Sequence, residues 1–208
     1  MEQDDNQRWK TFPAPVRDVF EGLWQEVVSL HAHWELYQDL FTNSDDIELI
    51  NATVPTVFQL IEENLRASMT VAFGRLTDPS ATGKKLNLCL TRLVETIEPH
   101  CDSAFFQRTQ SILEKIKTEC IPITDVRNRS VAHNDLATSL NYKENPLPGI
   151  GRKHISNALT LISDLMNMIQ LRFENGETGY SHVIQRGTGK DLLFYLRQAA
   201  EHDRKSVK

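Results

Sequence analysis

The residues best equipped for chemistry lie in one stretch, Asp125-Val126-Arg127-Asn128-Arg129-Ser130-Val131-Ala132-His133-Asn134-Asp135. It gathers guanidiniums, an imidazole, amides and carboxylates late in a helix that is otherwise apolar on one side. A histidine titrating near pH ~6.5 can move protons at neutral pH, and an arginine can hold an oxyanion or a phosphate. Such a set could therefore transfer protons beside an anionic group. On ideal helical geometry Arg127 and His133 differ by roughly 120° around the axis and ~9 Å along it. Arg129 and His133, at i and i+4, share a face directly. Spacing alone nominates Arg129 as the closer partner. It also allows a solvated helix end in which Asp125 and Arg129 form a surface ion pair worth little.

Other candidates read as structural. His31 and His33, at i and i+2, point to different sides of a helix, unlike the i, i+4 pair that chelates zinc, and read as surface or boundary residues. Gly187-Thr188-Gly189-Lys190 has the look of a phosphate loop but lacks the earlier glycine and the hydroxyl after the lysine. It reads as a flexible turn. Trp24 and Trp34 suit packing or an interface. Lys84-Lys85 and Arg152-Lys153 are solvated pairs that could line an RNA path. Asp78-Pro79 terminates a helix, and Arg75 pairs with a carboxylate there. Cys89, Cys101 and Cys120 have no metal-ligand spacing and read as free thiols of a reducing compartment. No metal or other cofactor is expected.

The elements that must position these residues are helices. Steps of three and four through Val16, Phe20, Leu23, Val27, Leu30, Trp34, Tyr37 and Phe41 predict one long helix. Asn43-Ser44-Asp45-Asp46 supplies caps for a second, whose face runs through Ile47, Ile50, Val54, Val57, Phe58, Ile61, Leu65, Met69 and Ala72. Pro55 predicts a kink or a boundary within it. The two make an antiparallel hairpin. A shorter helix through Leu86, Leu90, Leu93 and Ile97 stops at Pro99. The next runs from about Asp102, is kinked or split at Pro122, and continues to His133. A loop holding Asn145-Pro146-Leu147-Pro148-Gly149 precedes a helix presenting Ile155, Leu159, Ile162, Leu165 and Ile169, capped at Asn175-Gly176. Val183-Ile184 is at most a short strand. A final turn or two spans Asp191 to Ala200.

Composition fits this reading. The chain of 208 residues carries 40% hydrophobic and 25% charged residues, ordinary for a globular domain. Its net charge of −5 argues against coating nucleic acid electrostatically, though not against a local basic pocket. No apolar run approaches the length of a membrane span and the first residues are acidic, so the expected location is the cytoplasm.

The string R-N-x-x-x-x-H, here Arg127-Asn128 to His133, resembles the signature of HEPN domains, a helical family rich in RNases. Arg75-Leu76-Thr77-Asp78-Pro79, then Lys85-Leu86-Asn87-Leu88, then the arginine motif followed by Asn134-Asp135, resemble the AbiU-type abortive-infection branch over roughly residues 34–136. The resemblance implies an all-α, HEPN-like helical bundle that dimerises so that two motifs face one cleft. It implies metal-independent RNA cleavage with Arg127, Asn128 and His133 as catalytic residues. Arg129, Asn134, Asp135, Arg75 and Asp78 would bind RNA or support the site. Some HEPN toxins carry a modifiable tyrosine two residues beyond the histidine. Asp135 stands there in this chain, and Tyr142 is too distant to replace it.

The expected organisation is a flexible N-terminus over 1–13, a HEPN-like domain over 14–176, and a C-terminal loop, short helix and basic tail over 177–208. The expected function is a ribonuclease effector of phage defence or a toxin-antitoxin system, with a homodimer, an RNA substrate and an antitoxin or other protein as partners. The alternative is a non-catalytic HEPN-like module that binds a protein, nucleotide or RNA.

Overall fold

A computed structural model describes residues 8–131, 149–182 and 187–206. Among them are seven α-helices and one two-stranded antiparallel ribbon. In chain order these are α1 (Ala14–Phe41), α2 (Ser44–Thr53), α3 (Pro55–Thr77), β1 (Ala81–Thr82), β2 (Lys85–Leu86), α4 (Leu90–Ile97), α5 (Ser103–Val126), α6 (Arg152–Phe173) and α7 (Gly189–Ser206). A 3-10 turn, Glu98–His100, follows α4, and a π-helical turn, Arg127–Val131, follows α5. The architecture is all-α, as the apolar periodicity predicts. No described helix is long and apolar enough to cross a membrane. The chain divides into two compact units, one of Met1–Val28 with Thr70–Tyr180 and one of Ser29–Met69 with Ser181–Lys208.

In the first unit, the early turns of α1 bury Val16, Phe20, Leu23 and Val27, the stripe read from the sequence. Trp9 and Phe12 lie inside the stretch expected to be flexible, yet they are only 5% and 4% exposed. Trp9 meets Phe20 edge-on at 4.9 Å between centroids, and Phe12 lies 5.3 Å from Phe173. Burying two aromatic side chains outweighs the entropy of ordering a short segment. Helices α5 and α6 pack antiparallel. His154 bonds Glu119 near one end and Arg172 lies over the Phe105 ring near the other.

Two boundaries in this unit differ from expectation, and at Pro122 one of two alternatives is excluded. Leu86 is not on the short helix, because it pairs with Ala81 in the ribbon and is exposed. The helix starts at Leu90, where the Cys89 thiol accepts from the Arg92 amide. Pro122 does not split α5, which continues to Val126. The hydrogen bond lost at proline costs ~3 kcal/mol, against which stands complete burial of Cys120 and Ile123 around it. Helix α6 ends at Phe173 with Glu174 in an extended conformation, so Asn175-Gly176 is not its cap.

In the second unit, Asn43 caps α2 by accepting from the amides of Asp45 and Asp46 at 2.9 and 3.3 Å. Val54 leaves the helical region (φ −136°, ψ 58°) and Pro55 opens α3, since a proline disfavours the helical conformation before it and suits the first helical position. The break resets the helical phase. Ile50 and Phe58 are buried with Leu40 and Leu193, whereas Ile47, Val54 and Val57, assigned to the same face by sequence, are exposed. Tyr37 donates to Glu62 while Leu40 sits in the cluster with Phe58, so α1 and α3 run antiparallel here, the hairpin expected.

Helix α7 spans 18 residues, well beyond the turn or two predicted. Its start is a capping box. The Asp191 carboxylate accepts from the Thr188 amide at 2.8 Å, and Thr188 Oγ1 accepts from the Asp191 amide at 3.3 Å. Leu193 anchors the helix in the core, and Arg197 pairs with Asp46. A side chain at Gly189 would approach Asp39 Cβ to 2.6 Å, so only glycine lets this helix lie against α1. Thr188-Gly189 is thus a helix cap and a close contact. His31 is also misjudged by sequence. It is 8% exposed, and burial pulls its pKa down to about 4.

Candidate functional site

The site is built where three parts of the first unit meet: the end of α3, the loop that follows it, and the end of α5. Helix α3 closes at Thr77, whose hydroxyl turns back to the Phe73 carbonyl at 2.8 Å. Asp78 follows immediately. The next residues are pinned: Asn87 Nδ2 donates to the Pro79 carbonyl at 2.8 Å, and Arg92 Nη2 donates to the Ser80 carbonyl at 2.7 Å. Asn87 lies in the second of the three resembling segments, and its visible role is to fasten the loop that carries Asp78.

Arg127 caps α5, its amide bonding back to the carbonyls of Ile123 and Thr124. Its side chain crosses to α3 and donates through Nη1 to Asp78 Oδ1 at 2.9 Å. Its Nε donates to the neighbouring Asn128 Oδ1 at 3.2 Å. The Arg127 side chain is neither buried nor free in solvent, at 23% exposure against 34% for that of Asp78. It lies over Gly74. A Cβ at Gly74 would overlap Arg127 Nη1 and Cδ and would stand 2.9 Å from Cζ. A glycine in a helix interior is ordinarily unfavourable by about 1 kcal/mol. Here it is the floor on which the arginine rests. The guanidinium also faces the C-terminal end of α3, where the helix dipole is negative.

Arg129 turns to its own helix and pairs with Asp125 at 3.1 Å, the i, i+4 contact that spacing predicts. Arg75 bonds Glu26 on α1, with Nε to Oε1 at 3.1 Å, so it fastens two helices as expected. The helical arithmetic applied to Arg127 and Arg129 meets a local departure. It assumes α-geometry, whereas the chain is π-helical from Arg127 to Val131. Bonding from i to i+5 changes which residues share a face, and such turns are frequent at functional sites. His133, Asn134 and Asp135 lie outside the described residues, as do Tyr142 and the loop of Asn145 to Pro148.

The resemblance names Asp78 as support for the site, but sequence reasoning does not pair it with Arg127. The bond from Arg127 to Asp78 joins the first and third resembling segments. The available signal was Gly74, a glycine inside an apolar helical run and one turn before Asp78.

The remaining candidates are peripheral. His33 Nδ1 lies 2.7 Å from the Ser29 carbonyl. Trp34 is buried and stacked on Tyr37, and Trp24 Nε1 donates to Thr178 Oγ1 at 3.3 Å. Lys84, Lys85, Arg152 and Lys153 are exposed. All three cysteines are free, and burial pushes the Cys120 thiol up to about 12. Among the described residues no three histidine, cysteine or acidic side chains converge as metal ligands.

An all-helical chain with an Arg-Asn motif at a π-helical turn, its arginine seated across a second helix, has the makings of a HEPN-type module. The sequence model of the AbiU2 family of HEPN domains matches residues 14–192, and the chain belongs to that family. No curated protein and no solved structure matches it.

Proposed function

We propose that the chain is an RNA-cleaving HEPN effector of abortive infection in which Arg127, Asn128 and His133 act on a phosphodiester. The observation that carries this reading is the seating of Arg127. Its guanidinium is fixed from two sides by Asp78 and Asn128, while the side chain as a whole stays partly exposed. A guanidinium has five N–H donors, and two anchoring bonds do not exhaust it.

In the proposed reaction the ribose 2′-hydroxyl attacks the adjacent phosphorus while its proton passes to a base. The bond to the 5′-oxygen breaks, and that oxygen takes up a proton. The products are a 2′,3′-cyclic phosphate and a 5′-hydroxyl. His133 serves the proton transfers, and Arg127 stabilises charge on the non-bridging oxygens. The nucleophile is part of the substrate, so the step calls for no metal. Single-stranded RNA suits it, because an unpaired backbone can reach the in-line geometry. A homodimer would set Arg127 of one copy beside the histidine of the other, and an antitoxin or other protein would restrain it.

The test is cleavage of single-stranded RNA by purified protein, with the products' ends identified. Wild type should yield cyclic phosphate, and His133→Ala and Arg127→Ala should each be inactive. Loss in Arg129→Ala but not in Arg127→Ala would transfer the role to Arg129.

One observation favours a second reading. Both arginines of the motif are engaged in ion pairs, with Asp78 and Asp125. That is what a non-catalytic module, binding a protein, nucleotide or RNA, would also present. Intact RNA after prolonged incubation, with no growth arrest on overexpression, would decide for it.

A further inference from the structure

We infer that Gly74 and Asp78, one helical turn apart at the end of α3, form a cradle that positions the Arg127 guanidinium for its phosphate. The inference rests on the proposed reading in so far as Arg127 is the residue that meets the substrate. Gly74 and Asp78 are positioning residues, acting only through the arginine.

Three independent features converge on this cradle. The first is steric. Gly74 sits in the last turn of α3, where alanine would still favour the helix more, and its missing side chain is the space the arginine occupies. The second is electrostatic. Asp78 holds Nη1 at 2.9 Å, and the charge-assisted bond fixes direction as well as distance. The third is mechanical. Asp78 does not hang on a loose loop, because Asn87 and Arg92 tie the two residues after it, Pro79 and Ser80, to the ribbon and to α4. Asn128 completes the arrangement from the arginine's own turn by accepting from Nε.

A long side chain emerging from a π-helical turn has many rotamers. In this cradle bonds to Asp78 and Asn128 hold it in place, so that part of the cost of ordering it is met before substrate arrives. Misplacing a catalytic group by an ångström can lower a rate ~10²-fold. The cradle therefore predicts an effect on turnover from residues that need not touch RNA.

The experiment compares full-length wild type with Gly74→Ala and Asp78→Asn, using two readouts. One is RNA cleavage, resolved into kcat and KM. The other is the rate at which phenylglyoxal modifies Arg127, followed by peptide mass spectrometry. Each folded variant should lower kcat about 10²-fold while leaving KM within roughly threefold. Each should also raise the Arg127 modification rate several-fold. Wild-type modification rates in both folded variants would overturn the cradle, as would a loss of cleavage without faster modification. Should Gly74→Ala fail to fold, Asp78→Asn decides by the same two readouts. Should wild type leave RNA intact, the ribonuclease reading falls, and the modification rates alone decide the cradle.

Discussion

Neutralising the titration of His31 should flatten part of the protein's acid instability by a calculable amount. The imidazole is 8% exposed, and desolvation lowers its pKa from about 6.5 to about 4. In the unfolded chain it titrates near ~6.5. Between these values the unfolded state binds a proton that the folded state refuses, so stability falls as pH falls from 6.5 toward 4. The full shift corresponds to roughly 3 kcal/mol, of which about 2 kcal/mol is lost between pH 7 and pH 5. His31→Gln removes the titration and keeps a polar side chain. Urea unfolding of both proteins at pH 7, 6 and 5 gives the difference in stability at each pH, and other titrating groups cancel in it. The variant's stability relative to wild type should rise by about 2 kcal/mol on going from pH 7 to pH 5. A relative stability that stays constant over that range would show that His31 is solvated and that the burial argument is wrong.

Other outcomes follow from packing. Trp9→Ala should destabilise the protein by ~3–5 kcal/mol in urea melts, and a neutral result would return the segment before α1 to a flexible tail. Gly189→Ala brings a methyl group against Asp39 and should cost ~1–3 kcal/mol, measured the same way. Thr188→Ala, which removes the α7 cap, should cost ~1 kcal/mol. Arg75→Ala breaks an ion pair whose arginine is 60% exposed, so its effect on stability in urea melts should stay within ~1 kcal/mol. In native protein a thiol reagent should reach Cys101 first and leave buried Cys89 and Cys120 unreacted until urea is added.

The helices were legible wherever one apolar face was buried along its whole length. The stripe from Val16 to Trp34 and that from Ile155 to Ile169 show this. Errors gathered where a local signal competed with a distant partner. Leu86 continues the apolar spacing of α4 but is claimed by the ribbon, and Val57 continues that of α2 across a proline that resets the phase. Helix α7 is longer than its apolar residues suggest; its start is fixed by a cap, and Arg197 pairs with Asp46. At the site, sequence spacing offered Arg129 its i, i+4 neighbour correctly. It could not offer Arg127 its partner, since spacing along one helix does not mark a carboxylate 49 residues away, just past the end of another. The π-helical turn was likewise invisible, because its bonding pattern leaves no distinct periodicity in five residues.

The bond between Arg127 and Asp78 spans 49 residues of chain. Helices form from neighbours, but a contact of that separation forms only after the intervening loop has closed, and closure is slow and entropically costly. The arginine motif can therefore be translated and even helical while its guanidinium is still unplaced. A nascent or partly unfolded chain carries the motif without the geometry. For a protein whose proposed activity would harm its own cell, competence is thereby tied to the completion of folding.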